Sequence, residues 1–189
     1  MSDEIPYTCR KAAFHEAGHA LIAWKEGFEI HSIVIRKGSA EAHTSPLLPG
    51  RSTEQYALAR IRVLLAGAAA QCIALHPSVP TCTADSFTDR GDAHGDWIRA
   101  EELARLVVHH RSNGAGDDAA AAAAADKLLN DELQFVATTI NHERTALNRV
   151  ALGALVKVRE HLDQDDEDPT WSAEAKIEQT ELLSLLHSP

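Results

Sequence analysis

Two histidines four residues apart, with a glutamate beside the first, are the feature of this 189-residue sequence best suited to chemistry: His15-Glu16-Ala17-Gly18-His19. On a helix, residues at that spacing share a face, so both imidazoles can aim a ring nitrogen at one ion. Glu16 then stands about 100° round the helix from His15, close enough to take a proton from a nearby water without being a ligand itself. The arrangement suits Zn2+, which binds imidazole nitrogen at about 2.0–2.1 Å and in catalytic sites keeps one position open for water. Such an ion lowers the pKa of water toward about 7, which makes Glu16 the candidate general base and hydrolysis the expected reaction.

A catalytic zinc needs a third protein ligand, and Asp92, His94 and Asp96 are the downstream candidates. His94 is the right residue type but has no periodic anchor. Asp96 has one, because Asp96, Ala100, Leu103 and Val107 follow helical spacing and place the aspartate at the head of a buried stripe. A carboxylate in a first helical turn is also favoured by the helix dipole. For Asp92 a capping role is the better reading. His109 and His110 read as dipole-complementing residues at a helix end, and His31 and His43 as histidines flanking strands.

The elements that must position these groups can be read from pattern. A helix over residues 8–26, with Thr8 as N-cap and Gly27 as stop, carries Ala13, Ala17, Ala20, Leu21, Trp24 and Phe28 on one stripe, nearly opposite His15 and His19. The β-branched run Ile33-Val34-Ile35, a turn at Lys37-Gly38 and an extended piece over residues 40–44 predict a hairpin, closed off by Pro46, Pro49 and Gly50. Ser52 and Gln55 form a capping box for a helix to about His76, whose small residues Gly67-Ala68-Ala69-Ala70 would let another helix approach closely. A loop over residues 77–95 precedes a third helix over 96–110. Asp117-Asp118 opens a fourth through seven consecutive alanines, read as a close-packed segment, to about Ile140. A fifth runs over 141–162. After a solvated acidic stretch at 163–168, Ser172 caps a last short helix ending near Leu186. The fold class expected is α+β and mostly α-helical, with one small β-hairpin after the metal-binding helix. It is read as one domain over residues 1–189, with a metal-site half (1–110) and a helical C-terminal half (111–189).

Composition excludes several function classes. With 18 Lys+Arg against 28 Asp+Glu the formal charge is −10, so general attraction to nucleic acid or anionic lipid is not expected. The longest apolar run, residues 63–75, falls short of the roughly 18 residues of a membrane span, so none is expected. The acidic N-terminus does not read as a secretory signal, and three cysteines without Cys-x-x-Cys spacing read as reduced thiols. The expected location is cytoplasmic.

Over nearly the whole sequence the motifs resemble, in order, those of the peptidase domain of FtsH-type ATP-dependent zinc metalloproteases. His15-Glu16-Ala17-Gly18-His19-Ala20-Leu21 resembles that family's zinc helix, and residues 30–44 its hairpin. Gly67-Ala68-Ala69-Ala70 resembles its small-residue helix, Asp96 through Ala104-Arg105-Leu106-Val107-Val108 the helix carrying its third ligand, and Asn141 to Leu147 and Thr170 to Glu174 its closing pattern. The resemblance implies a helical zincin-like domain, with Zn2+ held by His15, His19 and Asp96 and Glu16 as base. Two departures stand out. Ala68 and Gln71 replace an arginine and a glutamate of the family's small-residue helix, and the sequence contains no Gly-x-x-x-x-Gly-Lys-Ser/Thr loop. The activity expected is therefore ATP-independent hydrolysis of peptides or unfolded protein segments, which the hairpin edge at Ala40, Ala42 and Thr44 would bind by strand addition. A separate ATPase partner stays open and an oligomer is not assumed. The alternatives are a non-catalytic zinc-binding adaptor and a dedicated regulatory peptidase with one protein substrate.

Overall fold

The computed structural model of the protein describes residues 5–36, 39–45, 50–75, 93–113, 117–162 and 174–187. Helix α1 (Tyr7–Lys25) starts without a side-chain cap: Pro6 is its N-cap, and Arg10 N–H bonds to the Pro6 carbonyl at 3.1 Å. Thr8, the expected cap, lies one residue inside the helix. Proline serves at this boundary because the N–H it lacks would be unpaired there anyway. At the other end Gly27, with φ of +79°, turns the backbone into the first strand.

The strands β1 (Ile30–Arg36) and β2 (Ser39–Thr44) pair antiparallel as expected, with Ile33 opposite Ala42 and Ile35 opposite Ala40. The turn residues 37–38 and the prolines at 46 and 49 lie outside the described residues. The sheet has a third strand that the sequence pattern did not announce. β3 (Ala175–Glu178) pairs antiparallel with the other edge of β1, Ile33 opposite Ile177, giving the order β2-β1-β3. Its Ala175 and Ile177 are buried while Lys176 and Glu178 are exposed, an alternation only four residues long. Residues 32–35 of the central strand β1 are all buried, so both of its faces are covered.

Helix α2 (Thr53–Leu75) opens with the expected capping box, Ser52 N–H donating to Gln55 Oε1 at 3.0 Å and Gln55 N–H to Ser52 Oγ at 3.2 Å. By length and composition alone α2 is apolar enough to cross a membrane, with a mean hydropathy of 1.5 over an 18-residue window within Thr53–Ala74 that contains Arg60 and Arg62. However, 78% of that window is buried inside the protein, which marks it as the core helix. Helix α3 (Ala93–Arg111) starts three residues earlier than expected and takes in His94. Helix α4 (Asp118–His142) is capped by Asp117, whose carboxylate accepts the Ala119 N–H at 2.9 Å. It runs to His142, two residues further than expected, and α5 (Arg144–Leu162) follows. Most of the alanine run is exposed and only Ala125 is fully buried. Those alanines serve helix propensity rather than packing, which corrects the close-packed reading. Helix α6 (Gln179–His187) leaves β3 directly. Ser172 and the 163–168 stretch lie outside the described residues.

One buried cluster draws residues from every helix and from β1 and β3, with α1 against α2 and α5, and α2 against α3 and α4. Around it, Arg62 bonds both Glu132 (2.6 Å) and Glu26 (2.9 Å), and Arg51 bonds Glu26 at 3.0 Å, tying the end of α1 to α2 and α4. These carboxylates are nearly buried, and each has an arginine partner, as buried charge requires.

The tightest contact is that of α1 on α2. A Cβ on Gly18 would lie 2.4 Å from the Ala66 carbonyl oxygen and 2.6 Å from Ala70 Cβ. In an open helix, Gly→Ala stabilises by about 1 kcal/mol. Here Gly18→Ala should instead cost about 1–3 kcal/mol through overpacking and lower the melting temperature by several degrees. A raised melting temperature would show that the helices can separate at no cost.

Candidate metal centre

Helical spacing puts the rings of His15 and His19 edge to face, with centroids 4.5 Å apart. The first turn of α3 brings Asp96 to them. His15 Nε2 and His19 Nε2 are 2.9 Å apart, and Asp96 Oδ2 lies 3.2 Å from the first and 3.1 Å from the second. Three donor atoms thus form a nearly equilateral triangle. Around a tetrahedral ion with bonds of about 2.0–2.1 Å, ligand atoms stand roughly 3.3 Å apart, so a small relaxation admits a metal. The group could hold a metal ion.

Helix α2 completes the setting from the other side. The Val63 carbonyl accepts a hydrogen bond from His19 Nδ1 at 2.7 Å. That bond fixes the ring orientation through Nδ1–H and leaves Nε2 facing His15 and Asp96, the bracing that metal-bound imidazoles normally have. One turn on, Gly67 makes room: a Cβ there would lie 2.6 Å from His15 Nε2 and 2.6 Å from His19 Nε2. His15 is braced differently. Its Nδ1 is buried with no hydrogen-bond partner among the described residues, so packing holds the ring. The helix has no open face here. His15 and Glu16 are both buried, whereas the apolar stripe in the sequence had placed the histidines on the side away from the core.

The electrostatics follow from burial and proximity. Burial raises the Glu16 carboxyl above its ordinary value, against the lowering effect of His19, His15 and the hydrogen bond from the Ala42 backbone N–H. Burial would also raise Asp96, but hydrogen bonds from His15 and His19 outweigh it and hold the carboxyl far below the usual carboxylate range. For His19 burial acts downward, yet its bond to Asp96 and the charge of Glu16 win and raise it. Asp96, held as a carboxylate beside two imidazole nitrogens, makes the group a donor set suited to a cation.

All the residues singled out for the site come together. His15, Glu16, His19 and Asp96 line a cleft of about 270 Å3 with Ala40, Ala42 and Thr44 of β2. A second hollow of about 420 Å3 continues along α1 and shares His15, Glu16 and Ala40. His94 is exposed in the first turn of α3 and stays out of the donor group. His109 and His110 are exposed in its last turn, and Asp92 lies outside the described residues. Four groups of the site had no signal in the motifs: the Val63 carbonyl, the Ala42 N–H, and two arginines on the cleft wall, Arg60 and Arg99. Gly67 was visible as a small residue, but its place against the imidazoles depends on which face α2 turns inward. Gln71, a departure from the resemblance, is nearly buried and donates to the Lys11 carbonyl at 3.3 Å, another α1–α2 tie. No family model and no curated protein matches the sequence.

Purified protein should bind about one divalent ion per molecule. His15→Ala, His19→Ala or Asp96→Ala should lose it, because two ligands hold an ion poorly. Gly67→Ala, a good helix former, should fold yet weaken metal affinity about 10–100-fold by displacing the rings. Unchanged metal content of the Gly67→Ala protein, measured by elemental analysis after dialysis, would show that α2 does not shape the site.

Proposed function

We propose that the protein is a zinc-dependent metalloendopeptidase acting on peptides or unfolded protein segments, built as a helical zincin-like domain of the kind its motifs resemble in FtsH-type proteases. The observation that carries this reading is the place of Glu16: a buried carboxylate next to the donor triangle, outside it, and hydrogen-bonded to the edge strand. A site that held an ion only for stability would have no use for it, and structural zinc sites close with four ligands.

His15, His19 and Asp96 would hold Zn2+, which when bound supplies Lewis acidity to a water and to a peptide carbonyl. The protein's own residues do the rest. Glu16 accepts a proton at its carboxylate and returns it to the leaving amide nitrogen. Its raised pKa suits both halves of that task better than an ordinary exposed glutamate would. The Ala42 N–H keeps the Glu16 carboxylate aimed. By the two-residue period of a strand, Ala40 turns its backbone to the same outer edge, where an extended peptide can pair with it. His19 keeps its orientation through Val63, so the Nε2 donor does not turn away during turnover.

Glu16→Gln tests the assignment. The variant should retain metal and lose hydrolysis of an unfolded casein-like substrate by about 10²–10⁴-fold. Equal cleavage by wild type and variant would assign the activity elsewhere.

A further inference from the structure

The two arginines of the cleft wall are placed by the same helical turns that place the site. Arg60 lies one turn before Val63, whose carbonyl holds His19, and Arg99 one turn after Asp96. Both line the 270 Å3 cleft with His15, Glu16 and His19. Among the described residues neither has an ion pair or a hydrogen bond, and Arg60 only rests over the Phe28 ring, 5.7 Å from its centroid. Their neighbours behave differently. Arg62 is held by Glu26 and Glu132, Arg36 by Glu174, and Arg105 by Glu101. In a protein of net charge −10, two guanidinium groups left unpaired at the cleft with the donor triangle are unspent donors. The acids that face them are Glu16, Asp96 and Glu41. A divalent ion would cancel Glu16 and Asp96, and Glu41 on the rim already faces His43 at 3.3 Å and Arg36 at 3.9 Å. The cleft wall is then left with the positive charge of half-buried Arg60 and exposed Arg99.

We propose that Arg60 and Arg99 form a carboxylate-recognising subsite, so that the peptide taken into this cleft carries an anionic carboxyl group close to the bond at Glu16. The inference rests on the peptidase reading and adds its substrate class. Guanidinium groups suit this role because their planar donors match a carboxylate in bidentate fashion. The carboxylate can come from an Asp or Glu side chain or from the free C-terminus of a peptide, and the chemistry of recognition is the same. Elsewhere the acidic surface repels such a segment, so these two residues also set where it can dock.

The test uses binding as well as cleavage. Three sets of otherwise identical ten-residue peptides are titrated into the full-length, zinc-loaded Glu16→Gln protein: amidated with one Glu scanned along the peptide, amidated with Gln in its place, and Gln-containing with a free C-terminal carboxylate. At least one carboxylate-bearing set should bind about tenfold or more tightly than the amidated Gln set, as expected for a charge-assisted bond. The advantage should shrink as salt is raised and vanish in an Arg60→Gln/Arg99→Gln protein. A preference for the Glu set assigns an acidic side chain, and one for the free carboxylate assigns a peptide end. Equal affinities, absence of binding in all three sets, or a preference that survives the double substitution would overturn the proposal. Because the Glu and Gln peptides are compared on the protein with both arginines present, misfolding of the double variant cannot mask the result. Wild-type cleavage separates the two readings. Cleavage with no carboxylate preference leaves the peptidase standing and the subsite overturned. Carboxylate-selective binding without cleavage leaves the subsite standing and the peptidase overturned.

Discussion

Helices α1 and α2 meet where neither can carry a larger residue, and the rest of the site depends on that contact. Gly18 of α1 faces the Ala66 carbonyl, and Gly67 of α2 faces the two imidazoles. The same approach that packs the core therefore brings Val63 within hydrogen-bonding distance of His19 and lets both imidazoles sit where a Cβ on Gly67 would otherwise be. Move the helices apart by the width of a methyl group and His19 loses its brace along with its packing. Interiors are dense enough that such a shift is resisted by many contacts at once, which lets a helix contact act as the reference frame for a donor triangle of 2.9–3.2 Å edges.

Burial then sorts the acids into different roles. Glu16 and Asp96 stand beside the same histidines, yet one carboxyl is raised and the other lowered. Asp96 receives hydrogen bonds from both rings and stays ionised, as a ligand should. Glu16 is buried against β2 with one backbone donor and so holds a proton more readily, as a general base that must also act as an acid should. The proposed peptidase chemistry asks for this division of labour, and the proposed carboxylate subsite adds cations that have no ion-pair partner among the described residues.

How much of this could be read beforehand differs from residue to residue. His15, Glu16 and His19 were legible because helical spacing alone decides that they neighbour one another. Asp96 was legible because a four-three-four apolar pattern placed it at the head of a helix, and the structure does bring it to His15 and His19. The hairpin followed from β-branched residues around a turn. β3 was not legible: four alternating residues beside a helix are too short a signal, and pairing with a strand some 140 positions away leaves no local trace. The roles of Gly67, Val63, Arg60 and Arg99 depend on how α2 and α3 are rotated about their own axes, which is settled by tertiary packing and not by the spacing within either helix. The exposed alanine run shows the opposite error, since a composition suited to close packing says nothing of whether a partner helix is there.

The central claim is a metal centre built from two imidazoles and one carboxylate with cysteine excluded, and X-ray absorption at the zinc edge of the zinc-loaded full-length protein tests it most directly. The account predicts a first shell of nitrogen and oxygen only, at about 2.0–2.1 Å, with the outer scattering of two imidazole rings. A zinc–sulfur distance of about 2.3 Å, drawn from Cys9, Cys72 or Cys82, or a shell with no imidazole signature, would contradict it.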